Sequence, residues 1–257
     1  MQVINLSPLN YALVLPFIFL AGLIDSIAGG GGLISLPAYW SVGIPPQLAL
    51  GTNKFSSCWG TVFSTANYFK AKMIDLPVAL ISAFMAIIGS WIGASTALKV
   101  SAQVLNYLLI ILIPAVAIFS VLNRNIGMQS NSRQIAKKIR MLFSAIAGLG
   151  IGFYDGFFGP GTGTFLILIY TSVLHYDFVT ANGNTKVVNL ASNIAALVTF
   201  AFASNIYYPL AVPGALCGIA GNIVGSKLVI LRGNKLIRRV FILALVLLFI
   251  RVIYTII

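Results

Sequence analysis

The chain alternates between long apolar segments and short polar turns. The apolar segments run over residues 9–24, 33–44, 47–69, 76–98 and 102–123, and then over 141–154, 162–176, 179–204, 208–230 and 236–256. A helix that crosses a bilayer needs about 20 apolar residues, and most of these segments are close to that length. The pattern predicts an all-α integral membrane protein of about eight to ten transmembrane segments, with no separate soluble domain.

Two glycine-rich stretches interrupt this apolar pattern. The first is Gly22-Leu-Ile-Asp-Ser-Ile-Ala-Gly-Gly-Gly-Gly-Leu-Ile-Ser-Leu-Pro37, and the second is Gly152-Phe-Tyr-Asp-Gly-Phe-Phe-Gly-Pro-Gly-Thr-Gly-Thr164. Glycine weakens a helix and lets backbone segments approach closely, so each stretch predicts a helix break at membrane depth. Broken apolar segments at matching positions of two halves point to the binding site of a transporter.

The two halves of the chain carry the same landmarks in the same order. Asp25 and Gly29 match Asp155 and Gly159 at a spacing of 130 residues. After a two-residue insertion the spacing is 132, and it pairs Gly51 with Gly183, Lys54 with Lys186, Pro77 with Pro209, Gly89 with Gly221 and Gly93 with Gly225. We interpret this as a duplication: membrane repeat 1 over 1–123, a cytoplasmic basic linker over 124–140, and membrane repeat 2 over 141–257.

Basic residues predict how the repeats are oriented. They cluster in the linker 124–140 and in the loop 231–239, and Lys70 and Lys72 mark a third loop. The loop 204–208, which corresponds to the Lys70 loop, carries no charge. Since cytoplasmic loops are enriched in Lys and Arg, the charge bias reverses between the halves. This predicts inverted repeats with an odd number of crossings each and both termini outside.

Two architectures satisfy that topology. In one, all five segments of each half cross the membrane. In the other, each glycine stretch is the tip of a re-entrant hairpin and three segments per half cross fully. Segment 33–44 spans only about 18 Å as a helix, against a hydrocarbon core of about 30 Å. We therefore favour the hairpins.

Composition limits the possible functions. The chain is 59% hydrophobic and 8% charged, with a formal charge of +12. Most of the basic residues cluster in loops between apolar segments, so they do not indicate nucleic-acid binding. Lone His175 has no second ligand at metal spacing, and Gly29–Gly32 is not followed by the Lys-Ser/Thr of a phosphate-binding loop. We expect no enzyme activity, no cofactor and no metal; the expected partners are a small anionic substrate, protons and the lipid bilayer.

The candidate chemistry centres on two lysines inside apolar segments. A lysine at membrane depth costs ~2.5 kcal/mol or more on insertion scales and is by default a functional hypothesis. The predicted anion site combines ammonium, hydroxyl and amide donors from both halves with backbone donors from the glycine stretches. Its residues are Thr52, Asn53, Lys54, Asn184, Thr185 and Lys186, with Gly30, Gly31, Gly161 and Thr162 at the tips.

The two symmetric carboxylates, Asp25 and Asp155, leave two interpretations open. They could couple transport to protons, as carboxylates do in many transporters. They could instead be structural, either by capping helix ends or by pairing Lys54 with Asp25 and Lys186 with Asp155. Buried charges do pair, and removing one partner is costly.

The two signatures resemble those of the sulfite exporter TauE/SafE family. The first is the run from Gly22 to Gly32, followed by Pro37 and by Leu48-Ala-Leu-Gly-Thr-Asn-Lys54; the second is Gly159-Pro-Gly-Thr-Gly with Asn184-Thr-Lys186 and Asn189. The resemblance covers essentially the whole chain. It implies an inner-membrane permease for sulfur-containing anions such as sulfite or organosulfonates, which works by export and is driven by the proton gradient.

One departure and three rival functions accompany this resemblance. The second half reads Gly-Asn-Thr-Lys where the first reads Gly-Thr-Asn-Lys, which makes the expected site asymmetric. The alternatives to an anion exporter are a passive anion channel, an uptake permease for a different small anion, and a membrane anchor without transport activity. A channel would show neither saturation at low substrate concentration nor counterflow.

Overall fold

The computed structural model describes residues 6–101, 130, 132–237, 239 and 240. The helices of the first half are α1 Pro8–Ala28, α2 Gly32–Ser41, α3 Pro46–Lys70 and α4 Leu76–Ala97. After a 3-10 turn at Ser132–Gln134, the second half contains α5 Lys137–Phe157, α6 Thr162–Ser172, α7 Phe178–Phe202 and α8 Tyr208–Arg232. The described residues contain no β-strand, so the predicted all-α class is confirmed for them.

Eight of the predicted apolar segments correspond to these helices, and α5 begins at Lys137, within the range predicted as linker. The predicted segment 102–123, most of 236–256 and linker residues 124–129 lie outside the described residues. Among the described residues, four helices are long and apolar enough to cross a membrane, namely α1, α4, α7 and α8. Large apolar side chains on their outward faces, such as Phe17, Phe84 and Trp91, are exposed, as expected of a surface in contact with lipid.

The chain doubles back at both glycine stretches. Gly29 and Gly30 have φ values of 69° and 116°, a region that only glycine adopts without strain. A Cβ on Gly31 would lie 2.6 Å from the carbonyl oxygen of Ala21, so α2 returns along α1. In the second half the ring of Phe165 on α6 lies 5.6 Å from that of Tyr154 on α5. Each half therefore begins with a helical hairpin whose tip is glycine-rich.

The two halves interlock through parallel helix pairs. Gly148, Gly152 and Gly156 of α5 face Ser82, Ala86 and Ser90 of α4 in the same order along both helices. In the same way, Gly221 and Gly225 of α8 face the backbone of Phe19 and Leu23 of α1. Gly89, Gly93, Gly221 and Gly225 each face backbone of the other half. Close approach through glycine is typical of helices that associate in membranes.

Candidate functional site

Lys54 lies near the hairpin tip of the second half. It projects from α3 and is 2% exposed. Its Nζ lies 2.8 Å from Oδ2 of Asp155, at the end of α5, and donates to Oδ1 of Asn193 at 3.1 Å. A carboxylate and an amide oxygen therefore surround this buried ammonium group.

Lys186 holds the hairpin tip of the first half. It projects from α7 and is fully buried, with its Nζ 2.8 Å from Oδ2 of Asp25 and hydrogen-bonded to the Asp25 carbonyl. Asn182, one turn earlier on α7, donates to the carbonyls of Ser26 and Ile27 at 2.9 Å. These donors satisfy the last carbonyls of α1, and the ammonium charge lies at the negative end of that helix dipole.

The ion pairs thus connect opposite halves. The interpretation in which Lys54 pairs with Asp25 and Lys186 with Asp155 is wrong, since each lysine binds the aspartate of the other half. The physical reason is that each hairpin tip crosses to the long helix of the other half, which sequence proximity does not reveal. The charges therefore connect the two halves of the chain rather than stabilise each half separately.

The two tips also contact each other directly. A Cβ on Gly163 would lie 2.7 Å from Cα of Gly29, and the hydroxyl of Thr164 donates to the Gly29 carbonyl at 2.8 Å. Within the second tip, Thr162 donates to the Gly159 carbonyl at 2.7 Å. Of the predicted tip residues, Gly30 and Gly161 have positive φ values. The tips are therefore held by threonine hydrogen bonds and by a close backbone contact between Gly29 and Gly163, where no side chain would fit.

Two of the predicted binding residues, Thr52 and Asn184, brace the starts of helices in the other half. Thr52 Oγ1 accepts a hydrogen bond from the backbone N–H of Tyr207 at 3.0 Å. Its counterpart Asn184 accepts from the backbone N–H of Asp75 at 2.8 Å. Thr52 corresponds to Asn184, and Asp75 corresponds to Tyr207, so the two contacts are symmetric. Each contact connects the start of α4 or α8 to a helix of the other half. The structure places these two side chains away from the lysine ammonium groups, in contact with backbone.

The bracing role of the Thr52 hydroxyl can be tested by substitution. Thr52→Val removes the acceptor of the Tyr207 amide, so we expect a loss of about 1–3 kcal/mol in the free energy of unfolding. Thr52→Ser keeps the hydroxyl and should retain stability. Denaturation of both purified variants in detergent would measure the difference, and equal stability of the two would contradict the bracing role.

Thr185 and several asparagines lie buried beside Lys186 without full hydrogen bonding. Thr185 Oγ1, Asn182 Oδ1 and Asn189 Oδ1 have no partner among the described residues. Residues 182, 185, 186 and 189 share one face of α7, because they are spaced three or four apart. Buried polar atoms without partners are rare in native structures and call for an explanation, such as a ligand or water. Asn182 was not among the predicted residues, although its spacing from Lys186 places it on the same face of the helix.

A small cavity lies beside Asp25. Its volume is about 20 Å³, and it lies between α1, α2, α3 and α8. Besides Asp25, the polar residues that line it are Ser35, Asn53, Ser56, Ser57 and Asn222. The predicted binding residue Asn53 accepts a hydrogen bond from Ser35 at 2.6 Å. A cavity of this size holds about one water molecule.

A helical membrane protein with broken helices and buried charges at the breaks has the architecture of a membrane transporter. Residues 14–252 match the family described as Sulfite exporter TauE/SafE. The chain therefore belongs to the sulfite exporter TauE/SafE family, and it is a multi-pass protein of the cell membrane.

The curated relatives agree with this membership. The chain is 34% identical over 232 residues to "Probable membrane transporter protein YfcA" of Escherichia coli strain K12, covering 90% of this chain and 85% of that protein. It is 35% identical to "Probable membrane transporter protein ORF9" of Sinorhizobium sp, covering 91% and 88%. A match to "Sulfite exporter TauE/SafE family protein 3" of Arabidopsis thaliana has 32% identity and covers 40% and 22%. No solved structure matches the chain.

Proposed function

We propose that the protein is a secondary transporter of small anions, with sulfur oxyanions such as sulfite and organosulfonates as its substrate class. The observation that carries the proposal is the presence of two ammonium groups, Lys54 and Lys186, buried at the contact between two helix breaks. An inert scaffold gains nothing from burying two lysines, because desolvation of an ion pair offsets most of its attraction. The substrate class follows the name of the family.

The anion would bind a lysine by replacing a carboxylate. In this structure both ammonium groups are already paired with aspartates at 2.8 Å. An anion can therefore pair with one of these lysines only after the ion pair with its aspartate has separated. Lys186 has the better surroundings for such an exchange, since the hydroxyl of Thr185 lies on the same face of α7 and has no partner among the described residues. A hydrogen bond from this hydroxyl, next to the ammonium group, suits an oxyanion.

The helix directions support inverted repeats and alternating access. Helix α5 follows the basic linker and runs parallel to α4, which follows Lys70 and Lys72. By the positive-inside rule both helices begin in the cytoplasm. Helix α3 ends at that cytoplasmic loop, so it begins outside. The hairpin of α1 and α2 precedes α3 and returns the chain to the side on which it started, so α1 also begins outside. The two hairpins then enter from opposite sides and meet at their tips, and rocking of one repeat against the other would alternate access.

Full enclosure of both lysines favours a carrier over an open channel. Lys54 and Lys186 are 2% and 0% exposed, so no continuous aqueous path reaches both ammonium groups in the described part of the chain. A carrier passes through such an occluded state during its cycle. A carboxylate beside a lysine could couple this cycle to the proton gradient.

Thermal stability of the detergent-purified protein with a panel of small anions tests the proposal. A ligand of the native state stabilises it by about 2.7 kcal/mol at a concentration of 100 times Kd. We expect sulfite or an organosulfonate to raise the melting temperature with concentration. If only a carboxylate or a cation does so, the proposed substrate class is wrong.

The variants for this assay keep the buried charges balanced. Lys186→Met combined with Asp25→Asn removes the pair without leaving an isolated charge, and we expect it to abolish the anion response. Lys99→Met is the control, because Lys99 is exposed and lies far along the chain from both tips. An anion response that survives in the double variant would show that Lys186 does not bind the substrate.

A further inference from the structure

The two symmetric ion pairs differ in how completely they are enclosed. Asp155 pairs with Lys54 at 2.8 Å, accepts a hydrogen bond from Ser192 Oγ at 2.5 Å, and has a side chain that is 6% exposed. Asp25 pairs with Lys186 at the same distance, but its side chain is 21% exposed and lines the small cavity. One carboxylate is thus sealed and the other is accessible.

The sequence explains this difference. The residue that corresponds to Ser192 in the first half is Gly60, which has no side chain to donate to Asp25. The amide of Asn222 packs against Gly60 and forms part of the cavity wall. The second half thus places a hydroxyl on its carboxylate, whereas Asp25 in the first half borders a cavity with space for about one water molecule.

The cavity reaches Asp25 from one defined side. The residues of α1 that line it, Ile18, Ala21 and Gly22, precede Asp25. On the parallel helix α8, Gly218 and Asn222 line the same space. The cavity therefore extends toward the end where α1 and α8 begin, which the proposed topology places outside. At about 20 Å³ it admits water, and hence protons, but not a sulfonate.

We propose that Asp25 is the proton-binding residue of the transport cycle and that Asp155 remains the charged structural partner of Lys54. A proton that arrives through the cavity binds a carboxylate oxygen of Asp25 and neutralises it. The Lys186 ammonium keeps its own protons and loses its counter-ion, so it becomes available to one monovalent anion. This inference rests on the proposed anion transport and names the residue that would couple the anion to a proton.

The surroundings of Asp25 favour a proton over a metal cation. The charged or titratable groups near it are Lys186 from α7 and Tyr68 from α3, whose hydroxyl donates to the Ser26 carbonyl. Tyr39 of α2 shares a hydrogen bond with Ser56 at the cavity edge, and no charged residue of α6 or α8 lines the cavity. A sodium ion on Asp25 would sit close to the Lys186 ammonium and be repelled, whereas a proton removes the negative charge without adding a second cation.

Infrared difference spectroscopy tests the assignment without any substrate. The chain has four side-chain carboxyl groups, Asp25, Asp75, Asp155 and Asp177, and no glutamate, so the spectrum is simple. Protein in lipid nanodiscs is taken from neutral to acidic pH, and the carboxylic-acid C=O band is recorded. We expect one component to be lost in Asp25→Asn and retained in Ser192→Ala and Asp155→Asn. Loss in Asp155→Asn with retention in Asp25→Asn, or no loss in either, would overturn the proposal.

The Ser192→Ala variant keeps the test decisive if Asp155→Asn does not fold. It removes one hydrogen bond from Asp155 and leaves the ion pair with Lys54 intact. If Asp155 were the proton-binding residue, Ser192→Ala should shift or enlarge its band, whereas our assignment predicts a spectrum equal to that of wild type.

Anion binding provides the second arm, with methanesulfonate as the probe because its charge is constant over this pH range. We expect it to stabilise wild type more at acidic than at neutral pH, and to stabilise Asp25→Asn equally at both, since asparagine mimics the protonated side chain. Exchange of sodium for choline should change nothing, and a sodium requirement would overturn the proposal. If methanesulfonate fails to stabilise wild type at either pH, the proposed substrate class fails, while the infrared arm still decides which aspartate binds the proton.

Discussion

Lys54→Met is expected to lower the free energy of unfolding by roughly 3–5 kcal/mol, because it leaves the Asp155 carboxylate buried without its ammonium partner. Asp155 is 4% exposed, so water cannot replace the lost lysine without opening the helix contact. Ser192 still donates one hydrogen bond, which compensates only part of the charge. Equilibrium denaturation of the purified variant in detergent measures the loss.

Double variants show which aspartate is the partner. Asp155→Asn in the Lys54→Met background removes the isolated charge and should recover most of the lost stability. Asp25→Asn in the same background should not, because Asp25 belongs to the Lys186 pair. The difference between single and double variants measures the coupling between two residues directly. Recovery by Asp25→Asn instead would mean that the pairs form within each half.

Gly29→Ala has the second large expected effect, a loss of about 4 kcal/mol or more, at the upper end for single substitutions. Gly29 has a φ of 69°, and an added Cβ would overlap the backbone of Gly163 in the opposite tip. Neither backbone can move without disturbing the Thr164 hydrogen bond to the Gly29 carbonyl. We expect little folded, monodisperse protein after purification.

Gly43→Ala is the matched control for that experiment. Gly43 has a φ of 82°, but an added Cβ meets nothing within 4 Å. Its cost is therefore the backbone strain alone, about 1–2 kcal/mol. If Gly29→Ala and Gly43→Ala have equal melting temperatures, the contact between the tips contributes nothing to stability.

Local features of the sequence predicted much of this fold. The apolar segments correspond to the described helices to within a few residues, and the glycine stretches correspond to the reversals of the chain. Both signals are local: hydropathy depends on the residues of one segment, and a positive φ depends on a single glycine. The regular spacing of the matching Asp, Gly, Lys and Pro positions indicated two similar halves. This signal can also be seen without knowing which residues are in contact.

The partners of the charged residues could not be predicted in this way. Lys54 binds Asp155 and Lys186 binds Asp25, and two lysines with two aspartates allow either pairing until the fold is known. The prediction of Thr52 as a binding residue followed from its place in the motif before Lys54 and not from helix geometry. Thr52 lies two positions before Lys54, which places it on the far side of the helix. Residues three or four positions away, such as Asn182 and Asn189 around Lys186, share the lysine face.

The cross-pairing of the charges has a consequence for biogenesis. Asp25 enters the membrane long before Lys186 is synthesised, because 161 residues separate them. At about 5–20 residues per second, the ribosome needs on the order of 8–30 seconds to supply that partner. During this interval neither Asp25 nor Lys54 has its native partner, since both partners belong to the second half. The first half therefore reaches its native charge pairing only after the second half has been synthesised.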